Sequence, residues 1–317
     1  MLELVNLSNY KEDSLSLFNN DANKIQEFLE TNKLDGLEMF FCEKWQKNVH
    51  KAEFIYGVHL PFYNDWLDFW YGNENETLKE FKNKKNVMKA LGGLTKKDAL
   101  KPFIDSISLA VEAKAEYVVF HVSNVRKSEI VSFDFKHNDK MVITTFIEFF
   151  NKLLKYIPKD MTVFFENLWW PGLTLLDRDL VAFFIENIKH ENKGIMLDTG
   201  HLLNTNFELK NEYEAVDYIL NVVGKLGDLR KYIRGIHLHH SLSGKYVKKA
   251  QKDNITFENE IEIIEHILKI DNHLPFETKK AKKILELVNP DVLVHEFAQN
   301  TREDWQKKIN IQRDALR

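Results

Sequence analysis

The feature that most constrains the fold of this chain is a regular alternation of short apolar segments with longer amphipathic ones. Eight segments of five or six residues are almost continuously apolar, which is typical of parallel strands covered on both faces. They occupy residues 2–7, 36–41, 54–59, 117–121, 162–166, 194–198, 233–238 and 292–296. Each of them is therefore predicted to be a buried parallel strand.

The segments between these strands carry apolar residues at helical spacing. They cover residues 21–29, 98–113, 141–157, 175–188, 213–226 and 279–288, and Asp21 is placed to cap the first of them. Eight strands that alternate with helices over 317 residues predict an α/β protein. The specific prediction is a single (β/α)8 TIM barrel that forms one domain from residue 1 to residue 317.

Three segments exceed what a minimal barrel needs. Residues 64–97 follow the third strand and residues 241–275 follow the seventh, so we expect both to be insertions that build walls around an active site. The second insertion contains an apparent extra helix near residues 258–268. Residues 303–317 are predicted to form a C-terminal amphipathic helix, packed against the barrel or a neighbouring subunit through Trp305, Ile309 and Leu316.

The composition is typical of a protein of a reducing compartment. The 44 basic residues nearly balance the 48 acidic ones, and the net charge of −4 allows a nucleic acid partner without favouring one. The single cysteine, Cys42, cannot form an internal disulfide and is expected to be a buried apolar filler. The N-terminus lacks a signal-peptide pattern and no apolar run approaches ~20 residues, so we expect a cytoplasmic protein without a membrane partner. The sequence leaves the oligomeric state open.

Metal-binding side chains stand at the ends of six consecutive predicted strands. They are His59, His121, Glu166, Asp198, His237 and Glu296. Active sites of TIM barrels lie at these carboxyl ends. Several carboxylates in one barrel mouth repel one another and lose hydration, and a divalent cation removes that cost. We therefore expect a metal held by Glu166, Asp198, His237 and Glu296, whereas a lone strand-end histidine is more often an ordinary hydrogen-bonded residue.

The remaining histidines divide into three classes. His50, His137, His190 and His266 lie in polar or helical contexts and are expected to be solvated. His239 and His240 lie close to His237, and one of them is a candidate to support a ligand or to face the substrate. His295 precedes Glu296, so strand alternation predicts that it points away from the barrel lumen.

Several motifs resemble those of a known family. They are Phe165-Glu166-Asn167, Leu197-Asp198-Thr199-Gly200-His201, Ile236-His237-Leu238 and the strand-terminal Glu296. In order and spacing, from His59 to Glu296, they resemble the xylose isomerase-like superfamily of TIM barrels. This superfamily includes endonuclease IV and many sugar and sugar-phosphate isomerases and epimerases, so the resemblance implies a divalent-metal enzyme.

The endonuclease IV branch is similar in the largest number of positions, and it implies a centre of three zinc ions with nine ligands. In chain order these would be His59, His121, Glu166, Asp198, His201, His237, Asp271, His273 and Glu296. The chain departs from that branch where His121 is followed by Val122 rather than by Pro-Gly. It departs again where His239 and His240 replace an Asn-Asp pair, and where Asp271 and His273 follow a longer insertion. These departures argue against DNA repair and leave the metal centre in place.

Three functions follow as hypotheses. The first is hydrolysis of a phosphate ester at two or three ions, with Glu166 and Glu296 bridging metals or positioning the water. The second is isomerisation or epimerisation of a sugar or sugar phosphate at one ion, with Glu166 and Glu296 as an acid–base pair. There Trp169 and Trp170 would either stack on the sugar or pack the barrel rim. The third is a non-catalytic barrel that binds metal or ligand. The expected cofactor is one to three divalent ions, Zn²⁺ or Mn²⁺, and the expected partner is a small phosphorylated or sugar substrate.

Overall fold

The computed structural model describes residues 1–317 and contains one closed barrel of eight parallel strands, with neighbours in chain order from β1 to β8. The strands are β1 (Leu2–Ser8), β2 (Gly36–Phe40), β3 (Ile55–His59), β4 (Tyr117–His121), β5 (Thr162–Glu166), β6 (Lys193–Asp198), β7 (Ile233–His237) and β8 (Val292–His295). The barrel closes where β1 pairs with β8, and Leu2 lies opposite Val292. The predicted fold class is thereby confirmed.

The strand boundaries differ from those predicted by no more than one residue at either end. One difference bears on the site: β8 ends at His295, so Glu296 follows the strand rather than ending it.

Helices follow the strands around the barrel. They are α1 (Lys11–Phe18), α2 (Ala22–Asn32), α3 (Leu67–Tyr71), α4 (Glu74–Phe81), α5 (Lys84–Leu91), α6 (Lys96–Ala113), α7 (Asp139–Leu153), α8 (Arg178–Asn187), α9 (Thr199–Leu203), α10 (Glu212–Lys225), α11 (Gly244–Lys252), α12 (Glu260–Ile270), α13 (Lys282–Val288) and α14 (Arg302–Leu316). Asp21 caps α2 as expected, since its Oδ1 accepts from the amide of Asn23 at 2.9 Å. None of the helices has both the length and the apolar composition needed to cross a bilayer.

Helix α6 begins two residues before its predicted start because of a capping box. Oγ1 of Thr95 accepts from the amide of Asp98, and Oδ2 of Asp98 accepts from the amide of Thr95. This reciprocal pair satisfies two amides at the helix start. Asp98 is therefore the third helical residue rather than the first.

Strand alternation sorts the apolar side chains into two environments. A large core of 70 buried residues includes the side chains that point from the strands to the helices, such as Val118 and Phe165. A smaller cluster consists of Leu4, Tyr117, Val119, Phe164, Met196, Val292 and Val294. Because their strand neighbours face the helices, these seven side chains fill the lumen. Gly57 makes room for this layer, since a Cβ there would lie 2.1 Å from Cζ of Tyr117.

Two stretches of chain add helices beyond one per strand. Helices α3–α5 lie between β3 and α6, and α11 and α12 lie between β7 and α13. Helices α11 and α12 pack on the loops after β4 and β5. The apolar cluster between them consists of Val125, Ile130, Leu168, Trp169, Trp170, Val247 and Ile270. Both tryptophans are buried there, so packing of the barrel rim describes them better than an open sugar platform.

The last helix, α14, is anchored by buried side chains. The ring of Trp305 is stacked on Phe28 at 4.7 Å between centroids and lies 6.3 Å from Phe18. Gln312 is completely buried: its amide group donates to the carbonyl of Leu238 at 2.9 Å and accepts from the amide of Phe276 at 3.1 Å. The helix thus packs within its own chain.

Two expectations about single residues are wrong. His50, His137, His190 and His266 are buried rather than solvated. Each has a nearby polar partner; Nε2 of His50, for example, lies 2.7 Å from Oγ of Ser14. The expectation was wrong because polar neighbours in sequence do not show which way a side chain points. Cys42 is exposed rather than buried. His295, as expected, points away from the lumen and contacts Glu3 and Gln312.

The first prediction concerns the anchor of α14. Trp305→Ala should lower the free energy of unfolding by about 3–5 kcal/mol, because it removes a fully buried ring from its contacts with Phe18 and Phe28. Chemical denaturation checks this, with the exposed Lys307→Ala on the same helix as the control. Equal stability of the two variants would show that α14 does not stabilise the barrel.

The second prediction concerns Glu3, whose Oε1 lies 2.7 Å from Nε2 of His295 and 2.5 Å from Nε of Arg313. Burial opposes ionisation, but the two partners outweigh it and lower the pKa of Glu3 to about 2. A carboxyl with a depressed pKa in the folded state stabilises it above the unfolded pKa and loses that contribution as pH falls. At pH 6 we expect the free energy of unfolding of the wild type to exceed that of Glu3→Gln by about 1–2 kcal/mol, a value already discounted for solvent screening.

This advantage should shrink as the pH falls below about 4.5 toward 3. Urea denaturation across that range measures it, and the exposed Glu27→Gln serves as the control. A stability difference that does not change with pH would contradict the assignment.

Candidate metal centre

Strand register places the metal-binding side chains in one mouth. Glu166 lies two residues after Phe164, and Asp198 lies two residues after Met196. The side chains of Phe164 and Met196 both fill the lumen. Because side chains alternate along a strand, the residue two positions later also points inward, one layer higher. The same reasoning applies to His121 and Glu296, which follow Val119 and Val294 by two residues. The carboxyl ends of the strands therefore carry a layer of metal-binding side chains above the apolar residues that fill the lumen.

The first group of metal-binding side chains comes from β3, β4 and β5. Nε2 of His59 lies 3.0 Å from Oε2 of Glu166, and Nε2 of His121 lies 3.3 Å from the same oxygen. Nδ1 of His59 is 3.0 Å from the carbonyl oxygen of Leu60, which can only accept a hydrogen bond. Nδ1 therefore carries the proton in a neutral ring, and the lone pair of Nε2 faces a carboxylate oxygen. A neutral imidazole and a carboxylate in contact call for positive charge between them, which either a proton or a metal ion can supply.

The second group surrounds the centre of the mouth. Nδ1 of His237 lies 3.4 Å from Oε1 of Glu166, 3.8 Å from Oδ2 of Asp198 and 3.2 Å from Oε2 of Glu296. All four side chains have one donor atom within 4.8 Å of the others. Glu166, Asp198 and His237 are almost fully buried, whereas 15% of the Glu296 side chain is exposed. Glu296 is therefore the member of this group that faces the opening.

A third group brings the distant Asp271 and His273 to the mouth. Oδ2 of Asp271 lies 3.2 Å from Nε2 of His201 and 3.4 Å from Nε2 of His273. Asp271 directly follows α12, and its Oδ1 accepts from the hydroxyl of Ser241 at 3.1 Å. The long segment between β7 and Asp271 thus contains the helices α11 and α12 and leads back to the site. The structure brings together all nine residues that the sequence singled out.

His201 and His273 repeat the arrangement of His59. Nδ1 of His201 lies 2.9 Å from the carbonyl oxygen of Asn167, and Nδ1 of His273 lies 3.2 Å from that of Asp271. Both rings therefore donate through Nδ1, and in the neutral form each presents the lone pair of Nε2 to a carboxylate. This is how protein metal sites orient their histidines, with the second ring nitrogen held by a backbone carbonyl.

The donor set fits divalent cations on two further observations. Oε2 of Glu296 and Nδ1 of His237 are buried without a hydrogen-bond partner, although they lie 3.2 Å apart. Two ligands of a tetrahedral ion with bonds of about 2.0–2.1 Å are roughly 3.3 Å apart, which is close to the nitrogen–oxygen separations in all three groups. The residues that would hold the ions are those of the three groups.

The pKa values show how strongly the cluster attracts positive charge. Burial opposes protonation of His201, but the carboxylates of Asp198 and Asp271 outweigh it and raise its pKa well above the usual value. Burial likewise opposes ionisation of Glu166, yet the surrounding imidazoles, with His121 first among them, hold its pKa well below the usual range. Metal ions would supply the same positive charge without protons.

Comparison with known proteins places this chain in a family. Residues 22–296 match the family model of the xylose isomerase-like TIM barrel. The chain belongs to the xylose isomerase-like TIM barrel family. Xylose isomerase-like proteins typically bind divalent metals. No functionally curated protein matches the chain by sequence.

Solved structures share the barrel at low sequence identity. A putative xylose isomerase from Rhodospirillum rubrum has a TM-score of 0.54 at 11% identity, with 99% of each chain covered. A 3-keto-D-glucoside 4-epimerase from E. coli has a TM-score of 0.50 at 11% identity, again with 99% of each chain covered. A mannonate dehydratase from Streptococcus suis has a TM-score of 0.51 at 8% identity, with 100% of this chain and 94% of that one covered. At these identities the likeness shows the fold alone.

Sequence reasoning missed one acidic residue of this xylose isomerase-like barrel. Oε1 of Glu38 lies 2.9 Å from Nε2 of His237 in a charge contact that lacks hydrogen-bond geometry, and Oε2 of Glu38 accepts from the hydroxyl of Tyr117 at 2.7 Å. Glu38 is therefore placed to fix the His237 ring so that Nδ1 faces the other ligands. The signal was present in the sequence: Glu38 is the only charged residue of a strand that is otherwise apolar.

The third prediction tests this orienting role. Glu38→Gln should weaken divalent metal binding by about 10- to 100-fold, because it removes the carboxylate that holds His237. Competition against a chromophoric chelator measures the affinity for Zn²⁺. The matched control is Glu3→Gln, which removes a carboxylate from a histidine on the outer face of the barrel. Equal metal affinity of the two variants would contradict the role of Glu38.

Proposed function

We propose that this protein is a metal-dependent hydrolase of phosphate esters that works with two or three adjacent divalent ions. The observation that carries the proposal is that Glu166 belongs to two ligand groups at once. One of its carboxylate oxygens faces His59 and His121, and the other faces His237 in the central group. A single ion held by the central group would leave His59 and His121 without a role.

A shared carboxylate is suited to neighbouring cations, and neighbouring cations are suited to phosphate esters. When bound, such ions make a water molecule more acidic and stabilise both the attacking and the leaving oxygen of the ester. The imidazole-rich ligand set favours Zn²⁺, and the carboxylates also accommodate Mn²⁺. No Lys or Arg side chain lies within 4.0 Å of the carboxylates of Glu166, Asp198, Asp271 or Glu296. A phosphate would therefore be attracted by the cations rather than by basic residues.

The two catalytic glutamates would have different tasks. The Glu166 side chain is 1% exposed and would hold its neighbours in place. Glu296 faces the opening and has an unpartnered oxygen, so it would orient the attacking water and take up its proton. In the net reaction the water oxygen bonds to phosphorus, the ester P–O bond breaks, and the leaving oxygen receives a proton.

Sugar epimerisation or isomerisation is the second candidate. The central group of Glu166, Asp198, His237 and Glu296 could hold one ion by itself, with the two glutamates as acid and base on either side of a sugar carbon. The solved neighbours support a small sugar substrate, since they include a 3-keto-D-glucoside 4-epimerase and a D-psicose 3-epimerase with a TM-score of 0.50. In this reaction one glutamate removes a carbon-bound proton and the other returns a proton to the opposite face.

The fourth prediction separates the two candidates by counting ions. Elemental analysis of untagged protein loaded with Zn²⁺ or Mn²⁺ should give two or three ions per chain. His59→Ala and His273→Ala should each hold fewer ions, because each removes a ligand outside the central group. One ion per chain, unchanged in both variants, would favour the epimerase. No bound ion after reconstitution would contradict both.

Activity completes this test. Loaded protein should hydrolyse bis(p-nitrophenyl) phosphate or p-nitrophenyl phosphate, and Glu296→Gln should lower kcat by about 10²- to 10⁴-fold. The exposed Glu265→Gln on α12 is the control and should keep full activity. Conversion of D-fructose to its epimer, without release of p-nitrophenol, would favour the second candidate.

A further inference from the structure

We propose that His239 forms, with His273 and Glu296, an additional site for a divalent transition-metal ion at the rim of the mouth. His239 is outside the set of nine residues that the family resemblance implies. The inference rests on the proposed function in one respect, namely that the mouth binds cations. It adds a ligand and a site that the resemblance does not supply.

The three side chains form a compact group. His239 is fully buried, and its ring is stacked on that of His273 at 4.2 Å between centroids. Nε2 of His239 lies 3.0 Å from Oδ2 of Asp198 and 3.7 Å from Oε2 of Glu296. Nε2 of His273 lies 4.0 Å from the same oxygen of Glu296. One donor atom from each of His239, His273 and Glu296 lies within 4.8 Å of the others.

The Asp198-Thr199-Gly200 motif fixes the position of His239. Oγ1 of Thr199 donates to the carbonyl of His239 at 2.6 Å and accepts from its amide at 3.1 Å. Gly200 leaves room for the ring, since a Cβ there would lie 2.0 Å from Cε1 and 2.4 Å from Nδ1 of His239. Nδ1 therefore faces Gly200 and has no hydrogen-bond partner. Nε2, which points at carboxylates, is the only nitrogen available for polar contacts.

Hydrogen bonds alone do not satisfy this group. The distances of 3.7 and 4.0 Å from the two imidazoles to Oε2 of Glu296 are too long for hydrogen bonds, and that oxygen has no other partner. Nδ1 of His273 is held by a backbone carbonyl, so its Nε2 lone pair is directed toward Asp271 and Glu296. Nε2 of His239 has Oδ2 of Asp198 as a hydrogen-bond partner at 3.0 Å, so a cation among these atoms would chiefly supply the partner that Oε2 of Glu296 lacks.

The group is open on one side. The side chains of His273 and Glu296 are 18% and 15% exposed, whereas His239 is fully buried beneath them. Three protein ligands with access to solvent are typical of sites that keep a position for water or substrate, whereas structural zinc sites are closed by four ligands. An ion here would therefore be accessible to a substrate in the mouth.

A competing arrangement shares His273. The family resemblance pairs it with His201 and Asp271, whose Nε2 and Oδ2 atoms lie 3.2 Å apart. The two arrangements differ in one imidazole, His239 or His201. Replacement of each histidine separately therefore distinguishes them.

The fifth prediction is a count of bound ions in these variants. Protein saturated with Co²⁺ or Zn²⁺ and then desalted is analysed for metal, and Co²⁺ binding is followed by its visible absorption. His239→Asn should hold one ion fewer than wild type. The matched control is His240→Asn, because the neighbouring His240 is turned toward Glu212 and Phe276 and should keep every ion.

A second variant distinguishes a loss of the ion from a loss of folding. Gly200→Ala should displace the ring of His239 and cost the same ion while leaving the His239 side chain present. Circular dichroism of each variant verifies the fold. Full metal content in His239→Asn would overturn the proposal, and so would loss of this ion in His201→Asn but not in His239→Asn.

The outcomes also separate this proposal from the proposed function. Wild-type protein that binds no ion would refute both. Wild-type protein and His239→Asn with equal ion counts would refute only the additional site. One ion lost in His239→Asn, in a wild type that hydrolyses no phosphate ester, would support the additional site and refute the proposed reaction.

Discussion

Three imidazoles held at Nδ1 by backbone carbonyls determine what the mouth of this barrel can do. His59, His201 and His273 each donate to a carbonyl oxygen, so each ring, when neutral, presents the lone pair of Nε2 to a carboxylate. A neutral imidazole and a carboxylate are both acceptors, and their contact is unfavourable unless positive charge lies between them. The rest of the site follows from this constraint, because the barrel must bring its acidic residues together with cations rather than with lysine or arginine.

The barrel supplies this arrangement through register. Inward-facing positions recur every second residue, so an apolar plug of residues such as Phe164 and Met196 is followed by a layer that includes Glu166 and Asp198. This regularity explains why the strands and their terminal donors could be predicted from sequence. Continuous apolar runs indicate buried parallel strands, and the carboxyl ends of such strands meet at one edge. Helix ends were less predictable, since α6 starts at a capping box rather than at its first apolar residue.

The features that escaped prediction depend on where a side chain points in three dimensions. Glu38 required knowledge of which face of β2 lines the lumen, and the choice between His239 and His240 required the contacts of Thr199 and Gly200. The burial of His50 and the exposure of Cys42 depend likewise on helix and loop packing. Conversely, the long spacing to Asp271 is explained once α11 and α12 are seen to leave the mouth and return to it.

Charge connects the additional site to the proposed chemistry. The mouth contains five carboxylates, namely Glu38, Glu166, Asp198, Asp271 and Glu296. If these five carboxylates are anions and the imidazoles are neutral, the mouth has a net negative charge with two divalent ions bound. With three divalent ions bound, its net charge is positive. Because no Lys or Arg side chain lies within 4.0 Å of Glu166, Asp198, Asp271 or Glu296, the number of bound ions would set how strongly the mouth attracts a phosphate. An ion at His239 would therefore strengthen the attraction of the mouth for an anionic ester.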